Sequence, residues 1–273
     1  MEPMHSVARL RLAAILAFCG AALLSNTLLA QPVPVRQHEG LIHGFLVLRA
    51  LNGDSLATGD WTQTAHGDRV TSNLVFRFKD GSIFDETAVF TQRRTFRLLT
   101  YHLVLKGPAF KRPTDMTLNT STGEVTVHYT DDGKDKTVTD HLKLSADLAN
   151  GLVTTLMHDI DPKTAKTMLS MVVSTPKPRL VKLAISPEGD DSFSIDGSVR
   201  KATRFVIKIE IGGISGIVAP MIGKQPPDSR VWMIGGKAPA FLKSEGPLCD
   251  DCPIWRIELA SPVWPKNDNG QKR

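Results

Sequence analysis

Short runs of alternating apolar and polar residues, cut at close intervals by glycine-bearing turns, constrain this chain more than any other feature. Leu74, Phe76 and Phe78 alternate with Val75, Arg77 and Lys79, and Phe205, Ile207, Ile209 and Ile211 alternate with Val206, Lys208 and Glu210. Val125, Val127 and Tyr129 repeat the pattern, as do Val181, Leu183 and Ile185. A period of two puts one set of side chains on each face of a strand, so each run has a buried face and a largely wet one. Between the runs lie NGD at Asn52, HGD at His66, KDG at Lys79, STGE at Ser121, DDGKD at Asp131 and PEGDD at Pro187, all residue types that favour tight turns. Strands this short, joined this closely, predict an antiparallel sheet.

One stretch breaks the period. SADLANGLVTTLMHDIDP, from Ser145, spaces Leu148, Leu152, Val153, Leu156, Met157 and Ile160 as the apolar stripe of a helix. Ser145 or Asp147 would cap its start and Asp161-Pro162 would end it, giving an amphipathic helix of about four turns over residues 146–160 that packs on the sheet. The expected fold is therefore mainly β: an antiparallel, half-barrel or clam-like sheet of about 12–13 strands, with about seven before the helix and about six after. The strand-rich halves run from about 40 to 145 and from 166 to 265. No Pro-, Gly- or Ser-rich linker divides them, so residues 31–273 are expected to form a single domain.

The layout over residues 40–265 resembles the periplasmic half-barrels that include the lipoprotein carrier proteins and envelope proteins resembling the DUF3108 family. DLANGLVTTLMHDI is similar to the helix between their halves, and the run from GSVRKATRFVIKIEIGG to RVWMIGG to the strands of their second half. The resemblance implies a concave apolar face able to hold a lipid or lipid-like group, and it carries no catalytic residues. Phe76, Phe78, Phe205, Ile207 and Ile209 are the candidates for that face, although the same residues would serve as core.

Residues 1–30 have the form of a secretory signal. Arg9 and Arg11 precede the apolar stretch Leu12 to Leu24, and Leu28-Leu29-Ala30 offers a cleavage site. The apolar stretch falls short of the roughly twenty residues of a membrane span. Cys19 follows Phe18, which does not suit lipidation. Loss of this segment removes Arg9, Arg11 and Glu2 and lowers the formal charge from +5 to +4. The remaining basic residues are interleaved with acidic ones, which argues against a nucleic-acid groove and leaves a weak attraction to anionic lipid headgroups.

Three motifs carry possible chemistry. HEGLIHG places His38 and His43 five residues apart, whereas a helical zinc site needs a spacing of four; the rings would point about 140° apart on a helix and to opposite faces of a strand. The expectation is two histidines in a loose mature N-terminus. His66, His102, His128, His141 and His158 show no ligand spacing, so neither a metal nor a cofactor is expected. Asp85 and Glu86 are the best acidic pair, but neighbours on a strand face opposite ways, and one of them is expected to reach a surface arginine.

The second motif is CDDC, Cys249 to Cys252. In an exported chain the pair is expected to be oxidised. A redox-active first cysteine belongs at a helix N-terminus, whereas Pro253 and the strand-like IWRIEL follow here, and two aspartates oppose thiolate formation. A turn staple, a redox pair, and metal-binding or free thiols all remain open. The third motif, IGGISGIVAPMIG from Ile211, suits a buried strand and turn or a flexible apolar rim. No G-x-S-x-G or Walker sequence occurs.

These observations point to an exported, non-catalytic binding protein for a lipid, a lipoprotein or an envelope partner, periplasmic or secreted, with peripheral membrane contact possible and no nucleic acid. The rival expectations are a thiol oxidoreductase using Cys249 and Cys252, and a purely structural envelope protein.

Overall fold

A computed structural model of the protein describes residues 31–174, 177–195, 198–210 and 226–260. The expected signal segment, Cys19 and the apolar run from Ile211 to Gly223 lie outside the described residues.

The alternating runs form strands. Eight of them, β1 (Ile42–Ala50), β2 (Ser55–His66), β3 (Arg69–Phe78), β4 (Ile83–Gln92), β5 (Phe96–Lys106), β6 (Thr114–Asn119), β7 (Glu124–Asp131) and β8 (Lys134–His141), make an antiparallel meander. Six more, β9 (Thr167–Val173), β10 (Arg179–Ile195), β11 (Ser198–Glu210), β12 (Ser229–Ile234), β13 (Ala240–Gly246) and β14 (Trp255–Leu259), make a second. Antiparallel pairing of β1 with β14, with Leu48 opposite Ile257, joins the two into one 14-stranded sheet whose edges are β8 and β9.

PEGDD is not a turn. β10 runs straight through it, and the sheet absorbs the extra residue as a bulge between Pro187 and Gly189, opposite Phe205 and Arg204. Proline lacks the N–H a regular ladder would use, and a bulge tolerates that loss. A second bulge has more consequence for the inner face. Phe90 pairs with Leu98 but Val89 pairs with Thr100, so Leu99 is the extra residue. Before it the even-numbered Phe96 and Leu98 are buried; after it the odd-numbered Tyr101, Leu103 and Leu105 are. Leu99 thus turns Tyr101 inward.

The connection from β8 to β9 must cross from one edge of the sheet to the other. Along it, Ala149 N–H donates to Ser170 O of β9 at 2.8 Å. Two residues on, Gly151 lies against Ala88 of β4 and the ring of Tyr101 of β5. β4 and β9 are nine strand positions apart, roughly 40 Å in a flat sheet, so the sheet is strongly curled around this segment. The connection is a plug in the concavity: Leu148, Ala149, Leu152, Leu156, Met157 and Ile160 are all buried.

The expected four-turn helix is corrected to a single short one, α1 (Val153–Met157). Before it, turns flank a single parallel bridge from Leu148 to Ser170 of β9. Asn150 uses its side-chain amide as a strand uses a peptide group, donating to Val172 O and accepting from Val172 N–H. Asp147 O accepts from Ser170 N–H. Gly151 then reverses the chain at φ 65°, a left-handed conformation that glycine adopts freely. Side-chain bonds to the neighbouring strand outweigh the helical spacing of the leucines.

The core lies between plug and sheet. Phe76 packs on Phe84, and Phe78, Phe110 and Trp255 form a triangle with centroids 5.4 to 6.4 Å apart. Full burial of each such ring is worth about 1.5–3 kcal/mol.

Candidate functional site: cavities beside the plug

The plug does not fill the concavity. A cavity of about 170 Å³ lies where Ala149 to Thr155 face β1 to β5, bordered by Leu46, Trp61, Leu74, Tyr101, Met171 and Phe241. Glu86 is the one charged residue on its wall among the described residues. Glu86 follows the inward parity of β4, between Phe84 and Ala88. The Tyr101 hydroxyl, placed inward by the Leu99 bulge, donates to Glu86 Oε1 at 2.8 Å. Burial raises the Glu86 pKa from the ordinary carboxylate value, only partly offset by that bond, and burial with the adjacent carboxylate pushes the Tyr101 phenol well up. Trp61 Nε1 donates to Ser72 Oγ at 2.9 Å on the same wall.

Asp85 faces the other side and accepts from Asn73 Nδ2 at 2.8 Å. The expectation that one of the pair reaches an arginine is corrected: an asparagine and a tyrosine take these places.

A second cavity, of about 340 Å³, lies beyond the C-terminal end of α1, between Met157, Ile160, Phe205 and Met233, with Arg36 and Asp161 on its rim. Asp159 is buried beside it. Its Oδ1 accepts from the backbone N–H groups of Arg36 and Gln37, whereas Oδ2 is buried without a hydrogen-bond partner. Burial raises the Asp159 pKa; the two N–H donors and His158 oppose this and Glu39 adds to it. His158 Nδ1 lies 3.0 Å from Glu39 Oε1, with side chains only 11% and 5% exposed. Gln92 clamps the Glu39 backbone, accepting from its N–H and donating to its carbonyl. The segment before β1 is therefore not loose: Val33 and Glu39 are buried, and His43 stands on β1, exposed beside Asp60. Within HEGLIHG the glutamate, not either histidine, has the buried partner.

The other histidines are dispersed. His102 meets Asp115, His128 meets Thr137 and His141 meets Glu124, all on exposed surface. His66 is exposed at the end of β2. Among the described residues no three His, Cys, Asp or Glu side chains converge as metal ligands.

One constellation was not legible beforehand: Lys182 Nζ donates to Ser170 Oγ at 2.6 Å, and Ser170 Oγ donates to Asp147 Oδ2 at 2.7 Å. Ser170 is fully buried with its proton committed to Asp147, so the arrangement ties plug to β9 and presents no nucleophile.

Cys249 and Cys252 are disulfide-bonded across a four-residue turn, Cα atoms 5.0 Å apart, and the chain continues into β14. The turn rests beside Lys111 and Arg112. Of the five apolar candidates, Phe205 borders the larger cavity, Phe76, Phe78 and Ile207 are buried in the core, and Ile209 is partly buried against it.

No family model matches the chain, and no curated protein matches it. Among solved structures it is similar to a β-barrel-like protein of the domain of unknown function DUF1849 from Brucella abortus, with 11% identity over 86% of this chain and 100% of that one and a TM-score of 0.44. It is also similar to the hypothetical lipoprotein YmcC from Escherichia coli, with 9% identity over 81% of this chain and 85% of that one and a TM-score of 0.35.

Proposed function

We propose that the protein is an exported, non-catalytic binding protein that holds a lipophilic group against the concave face of its curled sheet. The observation that supports this reading is the incomplete filling of that face: the plug leaves cavities of about 170 and 340 Å³ with largely apolar walls. An apolar cavity of about 150 Å³ accommodates benzene, so each space takes one end of an amphiphile while the rest extends outward. Phe205 would touch the ligand directly, whereas Phe76, Phe78, Ile207 and Ile209 would shape the face behind it. The basic n-region and apolar stretch before Gln31 support export, to the periplasm or beyond, and an apolar ligand supports peripheral contact with a membrane.

Native mass spectrometry of the mature protein, purified gently from a periplasmic extract, tests the reading. A lipid-sized adduct is expected. A bare chain, unchanged after incubation with lipid extract, would overturn it and favour a structural role.

A further inference from the structure

The smaller cavity combines one carboxylate with aromatic walls. Trp61, Tyr101 and Phe241 border it, and no lysine, arginine or histidine is found among the described residues of its lining. Glu86 makes one side-chain hydrogen bond there, from Tyr101, and no cation pairs with it among the described residues. Glu86 is partly buried, and a carboxylate partly withdrawn from water without a counter-charge carries a cost that a ligand cation would offset. An aromatic ring also attracts a cation through its negative face, and more strongly where water is excluded. Carboxylate and phosphate groups meet the opposite sign on every count.

We propose that this cavity binds an ammonium group carried on a small apolar body, with Glu86 as its counter-charge and Trp61, Tyr101 and Phe241 enclosing it. This rests on the concave face being a ligand site, and it names the ligand's polar end. The Tyr101 hydroxyl occupies Oε1 and orients the carboxylate. Thr154 adds a hydroxyl oxygen on the same wall that can accept a further N–H bond, whereas those of Ser72 and Thr155 already accept from Trp61 and Gln63. The volume of about 170 Å³ suits a body near the size of benzene.

Three probes of one shape separate the outcomes: benzylammonium, neutral benzyl alcohol and anionic benzoate, titrated into the full chain at neutral pH and followed by calorimetry and by the chemical shifts of Tyr101. Benzylammonium is expected to bind at least about tenfold more tightly than benzyl alcohol, with benzoate weakest, as charge-assisted hydrogen bonds imply. Glu86→Gln is expected to abolish the preference for the cation while retaining benzyl alcohol. Equal binding of all three probes, or a cation preference that survives Glu86→Gln, would overturn the assignment and leave the concave-face reading standing. Binding of none would overturn the assignment as well, and the concave-face reading would fall with it only if the chain also stayed bare after incubation with lipid extract. The wild-type series decides alone if the variant does not fold.

Discussion

Asn150 and Val172 hold each other by a reciprocal pair of hydrogen bonds, Nδ2 to the Val172 carbonyl at 2.8 Å and Val172 N–H to Oδ1 at 2.9 Å, both buried. The plug is fastened to the edge strand β9 here, and the rest of the connection takes its path from this point. Asn150→Ala leaves a buried N–H and a buried carbonyl without partners, each worth about 1–3 kcal/mol. Urea unfolding of the variant should show a loss of at least about 2 kcal/mol, the lower limit for two such groups. A loss below 0.5 kcal/mol, by the scale of exposed substitutions, would mean that the bonds do not anchor the plug.

Asp159 gives a pH dependence with a defined sign. Its pKa is raised in the folded state, so the folded protein holds the proton more tightly than the unfolded chain. This contribution favours folding at low pH and is lost as pH rises from the usual carboxylate value through the raised one. Asp159→Asn keeps an oxygen for the Arg36 and Gln37 N–H groups and removes the buried charge. Thermal melts from pH 4 to 8 should show the variant matching or exceeding the wild type at neutral pH, with the advantage narrowing as acid is added.

Gly59 sits where β2 passes closest to Phe76. A Cβ there would overlap the Phe76 ring and crowd Leu46, both parts of the packed core. Gly59→Ala should therefore cost about 1–3 kcal/mol by overpacking, read as a lowered midpoint in chemical denaturation. Gly40→Ala, where added bulk meets nothing, is the control.

On the outer face an ionic ladder crosses six strands. Glu188 takes Arg204 and Arg230, Asp191 takes Arg204 and the Trp232 indole, Lys243 lies over the Trp232 ring, and Glu245, Arg256, Glu258 and Arg49 continue it to β1. Its members are largely solvent-screened, so Glu188→Gln should cost under about 1 kcal/mol despite two lost arginine contacts. That cost should shrink in 1 M salt, where the screening length is about 3 Å. The Glu188 pKa is lowered, chiefly by Arg230, so its contribution is present above the usual glutamate value and fades as pH falls through the lowered one.

Period two made most of the strands legible, because alternation at Phe76 and Phe78 or at Phe205 and Ile207 has one structural meaning over so short a run. The opposite aims of Asp85 and Glu86 followed from the same rule. Bulges were not legible: nothing in the residues around Leu99 marks it as the extra one, yet it decides that Tyr101 meets Glu86. The plug misled because the Leu152 and Leu156 spacing is helical, while Asn150, which would suit the polar side of such a helix, instead binds β9, and Gly151 turns the chain. Glu39 and His158 are 119 residues apart, and only the path of the plug brings them together.

The seam between β1 and β14 also dictates an order of events. Among the described strands β1 is the first to leave the ribosome and its partner the last, so every residue between them is made before the two can pair. Until then Ile42–Ala50, carrying Leu46 and Leu48, is a bare sheet edge of the kind that recruits other chains. Pairings this distant slow folding and lengthen the exposure. For as long as β14 is missing, this edge is where a sibling chain would add a strand.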